Sequence, residues 1–210
     1  MVIAILTNAG SQTLVTPQGQ VIIEGPVERD YLASLLIDPD LSNFRNPGRQ
    51  KEALMIVADS PEGMVYIARH GKAIIGYLSF HAPSSYTRWS RHPRILELGA
   101  IEVSVPWRRF GIASALLKKA FQNEHLEEYV VIACEFQQHW DLRGTKMNVW
   151  NYQRMLSRLY GSVGFKKRRT DDPDILEHPA NMLLVRFGSK VNDAYVRAFE
   201  ELTYQQSLVD

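Results

Sequence analysis

Apolar positions along this chain follow two periods, and the switches between them mark out its elements. Residues 8–19 are polar, and residues 1–19 read as a loosely held N-terminal arm. Gln20-Val21-Ile22-Ile23-Glu24 predicts a strand, closed by Gly25-Pro26. Residues 27–36 and 48–58 carry helix-compatible spacing. Met64–His70 and Ala73–Phe80 are both β-rich and are separated only by Gly71-Lys72, which predicts a hairpin with a tight type II′ turn. The stretch 82–94, with two prolines, three serines and three arginines, predicts a loop. Ile95 to Val105 predicts a long strand with a bulge at Gly99.

From Ile112 the period lengthens. Ile112, Ala113, Leu116, Leu117, Ala120 and Phe121 share one helical face, with Lys118, Lys119, Gln122 and Asn123 opposite. Tyr129 to Phe136 is almost continuously apolar, as a strand covered on both faces would be. Val149, Tyr152, Leu156, Leu159 and Val163 are spaced 3-4-3-4 and predict a helix ending at Gly161 and Gly164. Met182–Phe187 predicts a late strand, and Val191, Tyr195, Ala198, Phe199 and Leu202 a final helix. Strands and helices in this order predict an α/β or α+β structure, a mixed sheet with helices packed on it. Without a repeat or linker, residues 20–210 read as a single domain that includes the C-terminal helix.

Composition narrows the classes. The 210 residues are 45% hydrophobic and 22% charged, with a formal net charge of +1. That balance argues against a nucleic-acid binder. The single cysteine, Cys134, cannot form an internal disulfide and suits a reducing compartment. The apolar opening Met1–Leu6 is too short for a membrane span and has no Lys or Arg before it, so the expectation is a cytoplasmic protein with no membrane role.

The chemistry concentrates where the long strand runs out. Val103-Ser104-Val105-Pro106-Trp107-Arg108-Arg109-Phe110-Gly111-Ile112-Ala113-Ser114 carries Arg-x-x-Gly-x-Ala between a strand and an amphipathic helix. A helix N-terminus offers unpaired N–H groups and the positive end of the helix dipole. Gly111 and the small Ala113 permit close approach of a phosphate, and Arg108 and Arg109 add charge. Taken alone, the same residues also make an ordinary strand-to-helix corner.

A second motif, Tyr160-Gly161-Ser162-Val163-Gly164-Phe165, closes the later helix. Together and in this order, the two resemble the GNAT superfamily of acetyl-CoA-dependent acetyltransferases. The pattern departs in placing Pro106 one position late and Ala113 where a final glycine usually stands. The resemblance implies a GNAT fold, a mixed and mostly antiparallel sheet splayed between two central strands and flanked by helices. It implies acetyl-CoA as cosubstrate, held around Val103, Val105, Arg108, Arg109, Gly111, Ile112, Ala113 and Ser114. The Val103 N–H becomes the expected oxyanion donor, Tyr160 the general acid to the leaving thiolate, and no metal is called for.

Further runs, among them Glu97–Val103, His139-Trp140-Asp141-Leu142, Thr170–Asp174 and His178-Pro179-Ala180-Asn181, resemble the narrower AcuA family of acetoin utilization proteins over residues 20–190. That resemblance implies a protein lysine as acceptor, on acetyl-CoA synthetase, which acetylation switches off. A small-molecule amine acetyltransferase and a non-catalytic acyl-CoA-binding regulator are the alternatives, and homo-oligomerisation is left open.

Two strand carboxylates compete for the base. Glu102 sits on a strand face with Ala100 and Ser104 and is the preferred proton acceptor; the bland reading is a surface carboxylate. Glu135 ends the apolar strand and is the second catalytic candidate, as base or as a group that binds the acceptor. His139-Trp140-Asp141 lacks metal spacing and reads as a rim loop, Asp171-Asp172-Pro173-Asp174 as a turn, Lys166–Arg169 as a solvated strand, and Cys134 as core.

Overall fold

Val21 and Ile23 are fully buried while Ile22 between them is half-exposed, the two-residue period that a sheet with one packed face imposes. The computed structural model describes residues 3–6 and 10–205. The sequence reads as one domain from residue 20; the packing resolves it into two units. One takes the chain up to His81 and returns for Gly99–Gln122, and the other takes Ala82–Leu98 and the chain from Asn123 onward.

The first unit holds strands β1 (Ile3–Leu6), β2 (Gln12–Thr16), β3 (Gly19–Glu24), β4 (Leu36–Ile37), β5 (Met64–His70) and β6 (Ala73–His81), and the later half of β7 (Ile95–Val103). Its helices are α1 (Arg29–Ser34), α2 (Pro47–Asp59) and α3 (Ile112–Ala120). The strand order is β1-β2-β3-β5-β6-β7, with the short β4 lying parallel to β6. Leu32, Leu35 and Leu54 from α1 and α2 pack on Val65, Ile67 and Ile74 of the hairpin, closing a core on that face. The hairpin is as expected, with Gly71 at φ +57° in the first turn position.

One local expectation gives way here. Gln12–Thr16 of the arm is not loose: β2 pairs with β3 from Gln12↔Ile23 to Thr16↔Gly19 and buries Leu14 and Thr16. Five residues with polar ends are too short for their alternation to stand out. Residues 7–9 lie outside those described. Gly99 lies within β7, where a Cβ would stand 2.1 Å from Nε2 of His81, so the side chain of His81 approaches this position closely.

The second unit holds the start of β7, β8 (Val130–Glu135), β9 (Lys166–Arg168) and β10 (Met182–Phe187), in the order β7-β8-β10-β9. Its helices are α4 (Leu142–Thr145), α5 (Val149–Gly161), α6 (Pro173–Leu176) and α7 (Asp193–Thr203). β8 runs antiparallel to β10 along six registered pairs, whereas the parallel β7–β8 ladder pairs only Ile95↔Val130, Leu96↔Val131 and Glu97↔Ile132. Parallel pairing at β4–β6 and β7–β8 within otherwise antiparallel ladders gives the mixed sheet that was expected. No described helix is long and apolar enough to cross a membrane.

The stretch 82–94 is not featureless. A 3-10 turn at Arg88–Arg91 buries Trp89 against Phe199 and carries Arg88 between Asp171 and Asp172, where it also donates to the Leu202 carbonyl at 3.1 Å. The Asp171–Asp174 run is therefore an anchor as well as a turn, with Asp172 capping α6. The Arg88 side chain is only 9% exposed. Removing one partner of such a buried pair leaves the other charge uncompensated, which costs about 3–5 kcal/mol. Arg88→Ala is expected to lower the free energy of unfolding by that amount, read by chemical denaturation, with Asp171→Ala falling in the same direction.

Candidate active site

β7 stops at Val103 rather than Val105. Ser104 turns the chain, and Val105–Trp107 forms a 3-10 turn with Pro106 early in it, where its missing N–H is no loss. The Ser104 N–H donates to the Ile75 carbonyl of β6 at 2.8 Å. Successive residues of a strand point their backbone groups to opposite edges. The N–H and C=O of Val103 therefore lie on the edge away from β6, as an oxyanion donor or an amide-pairing residue requires. Val105 differs: its carbonyl accepts from the Arg108 N–H inside the turn.

The loop then passes through two left-handed residues, Arg109 at φ +67° and Gly111 at φ +79°. That conformation costs a residue with a side chain roughly 1–2 kcal/mol, and such strain tends to collect at functional loops. Gly111 is the N-cap of α3, and no protein atom lies within 4 Å of where its Cβ would be. The first bond of the helix ladder runs from Ala115 N–H to Gly111 C=O, so the N–H groups of Ile112, Ala113 and Ser114 precede it. This is a cradle of the kind that suits a pyrophosphate. The two arginines divide their work. Arg108 turns back, its Nε donating to the Val103 carbonyl at 3.0 Å, while Arg109 is exposed.

Glu102 is not a surface carboxylate. It is 5% exposed, its Oε2 accepts from the Tyr77 hydroxyl at 2.6 Å, and its Oε1 accepts from the Asn43 N–H at 2.9 Å. Alternation along β7 turns it to the same face as Ala100, onto the core of α1 and α2. Burial, then the charge and hydrogen bond of Glu102, push the Tyr77 hydroxyl far above its usual pKa. Each carboxylate oxygen still has a second lone pair.

Glu135 and Tyr160 are brought together. The Tyr160 ring is 1% exposed, packs edge-on to Phe165, and donates its hydroxyl to Oε1 of Glu135 at 2.6 Å. Oε2 accepts from Nε1 of Trp140 at 3.0 Å, and Trp140 stacks on Tyr152 of α5. Each oxygen of Glu135 thus accepts from a donor of the second unit, as each oxygen of Glu102 accepts from a donor of the first. Desolvation raises the Glu135 carboxyl against the opposing pull of the two hydrogen bonds. Burial, and then Glu135 itself, raise the Tyr160 phenol well above its usual value.

The remaining candidates settle into structural roles. Asp141 caps α4 by accepting from the Gly144 N–H, and Lys166–Arg168 is an exposed edge strand. Cys134 packs against the core of its unit, where burial raises the thiol well above its usual value. Among the described residues no group of His, Cys, Asp and Glu could hold a metal. Sequence reasoning missed Tyr77 and Asn43 altogether and saw Trp140 only as rim.

Residues 30–139 match the Acetyltransferase (GNAT) family. The chain belongs to the GNAT family of acetyltransferases. It is 37% identical to the acetoin utilization protein AcuA of Bacillus subtilis (strain 168), over 92% of this chain and 93% of that protein. The corresponding AcuA of Bacillus licheniformis is 36% identical over the same shares. The crystal structure of an acetoin utilization protein from Exiguobacterium sibiricum 255-15 superposes with a TM-score of 0.92 at 38% identity, covering 99% of this chain and 97% of that one. The GNAT domain of S. lividans PAT, at 12% identity and a TM-score of 0.51, shares the fold.

The raised Glu135 carboxyl has a consequence for stability. A carboxyl whose folded pKa exceeds its unfolded one contributes full stability below the unfolded value, about 4.3, and loses it as pH rises through the folded value. Glu135→Gln removes that titration. The stability of E135Q relative to the unsubstituted protein is expected to improve as pH rises from about 4 towards 7, by at most about 1.4 kcal/mol per pH unit. Chemical denaturation across that range reads the difference, and a constant difference would mean that Glu135 titrates normally.

Proposed function

We propose that this GNAT acetyltransferase moves the acetyl group of acetyl-CoA to a lysine Nε of a folded protein, an acetyl-CoA synthetase, in acetoin utilization. The observation that carries the protein acceptor is the 37% likeness to AcuA over nearly the whole of both chains, loops outside the phosphate cradle included.

Acetyl-CoA supplies the activated acyl group as a thioester. The N–H groups that open α3 bind the pyrophosphate, with Arg109 adding charge from the loop. The Val103 N–H stabilises charge on the carbonyl oxygen as the lysine nitrogen bonds to carbon and the carbon–sulfur bond breaks. Glu102 first takes a proton from the lysine ammonium, directly or through a water, so that the free amine attacks, and the nitrogen loses its second proton to solvent as the carbon–sulfur bond breaks. Tyr160 delivers a proton to the departing sulfur. A phenol raised this far is a weak acid, so the proton it gives up is restored across the 2.6 Å bond from Glu135, whose protonated form burial favours. Protons balance: of the two that leave the lysine nitrogen, one is offset by the proton that Tyr160 delivers to sulfur and one is released, and solvent resets Glu102 and Tyr160. No covalent acyl-enzyme forms, and the chain contributes positioning and charge stabilisation.

The test is incubation with labelled acetyl-CoA and purified acetyl-CoA synthetase, followed by mapping of the labelled lysine. Label on the synthetase with loss of its activity supports the reading. Label on free polyamines or aminoglycosides with none on the synthetase replaces it with a small-molecule enzyme. Acetyl-CoA binding with no transfer to any amine replaces it with a regulator.

Two substitutions separate the roles. Tyr160→Phe keeps the ring against Phe165 and removes the proton donor, so kcat falls by about 10²–10⁴ with little change in acetyl-CoA affinity. Glu102→Gln lowers the rate near neutrality and recovers part of it at alkaline pH, where a lysine amine of pKa about 10.4 loses its proton unaided. A pH–rate profile with unchanged shape would remove Glu102 from the proton path.

A further inference from the structure

Charge is distributed unevenly along this chain. Residues 142–169 hold eight of its 24 Lys and Arg and none of its 23 Asp and Glu, so the remainder is net acidic although the whole is +1. All eight of these cations are exposed. On α5 they form a stripe: Trp150, Arg154 and Arg158 stand four residues apart on the face opposite the buried Leu156 and Tyr160. Arg143 and Lys146 lie just before that helix, and β9, which packs beside α5, adds its own lysines. Arg143, Lys146 and Arg158 enter no ion pair among the described residues.

Lysines on an edge strand discourage unwanted strand pairing, and that alone accounts for β9. It does not account for two arginines that follow, at four-residue spacing on one helix face, an indole that is 46% exposed. Exposed Trp and Arg sharing one face are the residue types enriched at protein-interface hot spots, where the ring is desolvated and the cations meet opposite charge at the rim. Nucleic acid fits less well, because the rest of the chain is acidic and would repel it.

We propose that the outer face of α5, centred on Trp150, Arg154 and Arg158, docks an acidic surface of the protein acceptor. The proposal rests on the reading of a protein acceptor given above and specifies how that acceptor is recognised.

The full chain is tested with two probes, using the double charge reversal Arg154→Glu/Arg158→Glu and the single variant Trp150→Ala. Fluorescently labelled poly-L-glutamate reads the surface without reference to any acceptor. The unsubstituted protein is expected to bind it with an affinity that falls as salt rises, and the charge reversal to weaken it at least about tenfold. With acetyl-CoA synthetase as substrate, both variants are expected to raise KM for the synthetase, with kcat and KM for acetyl-CoA unchanged. Undiminished poly-glutamate binding by the charge reversal overturns the proposal. So does tighter binding of duplex DNA than of poly-glutamate at equal salt, or a rise in KM for acetyl-CoA, which would assign the arginines to the cosubstrate. If poly-glutamate binding behaves as expected and the synthetase is not acetylated at all, the docking surface stands and the choice of acceptor falls. Circular dichroism and melting curves for both variants establish that they are folded.

Discussion

A carboxylate set into the middle of a sheet has to be met by hydrogen-bond donors before the sheet can close over it. Removing an ionised carboxylate from water costs several kcal/mol unless partners replace the lost hydration. Glu102 and Glu135 each meet that constraint with a tyrosine hydroxyl at 2.6 Å and one N–H donor, Asn43 for the first and Trp140 for the second. These four donors are all neutral. Neutral donors stabilise the negative charge without cancelling it, unlike the cation of a tight salt bridge.

The same bonds set the geometry around each carboxylate. Tyr77 belongs to β6 and Asn43 to the segment between α1 and α2, so Glu102 ties that segment to the strand whose next residue is Val103. Arg108 closes the arrangement by donating to the Val103 carbonyl, which holds the end of β7 against the turn that leads to Gly111. One of the two arginines that look like phosphate ligands is thus committed to the backbone. The strain at Arg109 has a related origin, since a loop of this length must reverse direction and deliver three N–H groups at the start of α3. In the second unit Glu135 ties α5 to the turn after β8 through Tyr160 and Trp140, and the stacking of Trp140 on Tyr152 fixes the indole that donates.

How much of this was legible depends on the range of each interaction. The hairpin and the helices α1, α2, α3, α5 and α7 are local, and apolar period with turn chemistry located them, whereas the one-turn α4 and α6 are too short to show a period. Glu135 could be singled out because a carboxylate at the end of an apolar run needs a reason. What supplied the reason was not legible: Tyr160 lies 25 residues away, and Asn43 lies 59 from Glu102. Arg88 and Asp171 are separated by 83 residues and look, in sequence, like loop decoration. Alternation also misled at Glu102, because the face it shares with Ala100 seemed the solvent side until α1 and α2 covered it. Short β2 failed for a different reason, having too few apolar residues to outweigh its polar ends.

The pairing of Tyr160 with Glu135 bears on how the acid step is driven. A phenol whose pKa burial has raised gives up a proton less readily than tyrosine in water, so an isolated Tyr160 would be poorly matched to a thiolate. The mismatch eases if the phenolate is never left standing. On the proposed reading, a protonated Glu135 would let loss of the phenolic proton towards sulfur and its replacement from the carboxyl become one displacement along this hydrogen bond, with negative charge coming to rest on the carboxylate. That site already holds the indole N–H of Trp140, a donor placed to receive the charge. The desolvation that weakens Tyr160 as a free acid is therefore the same desolvation that raises the Glu135 carboxyl bonded to it.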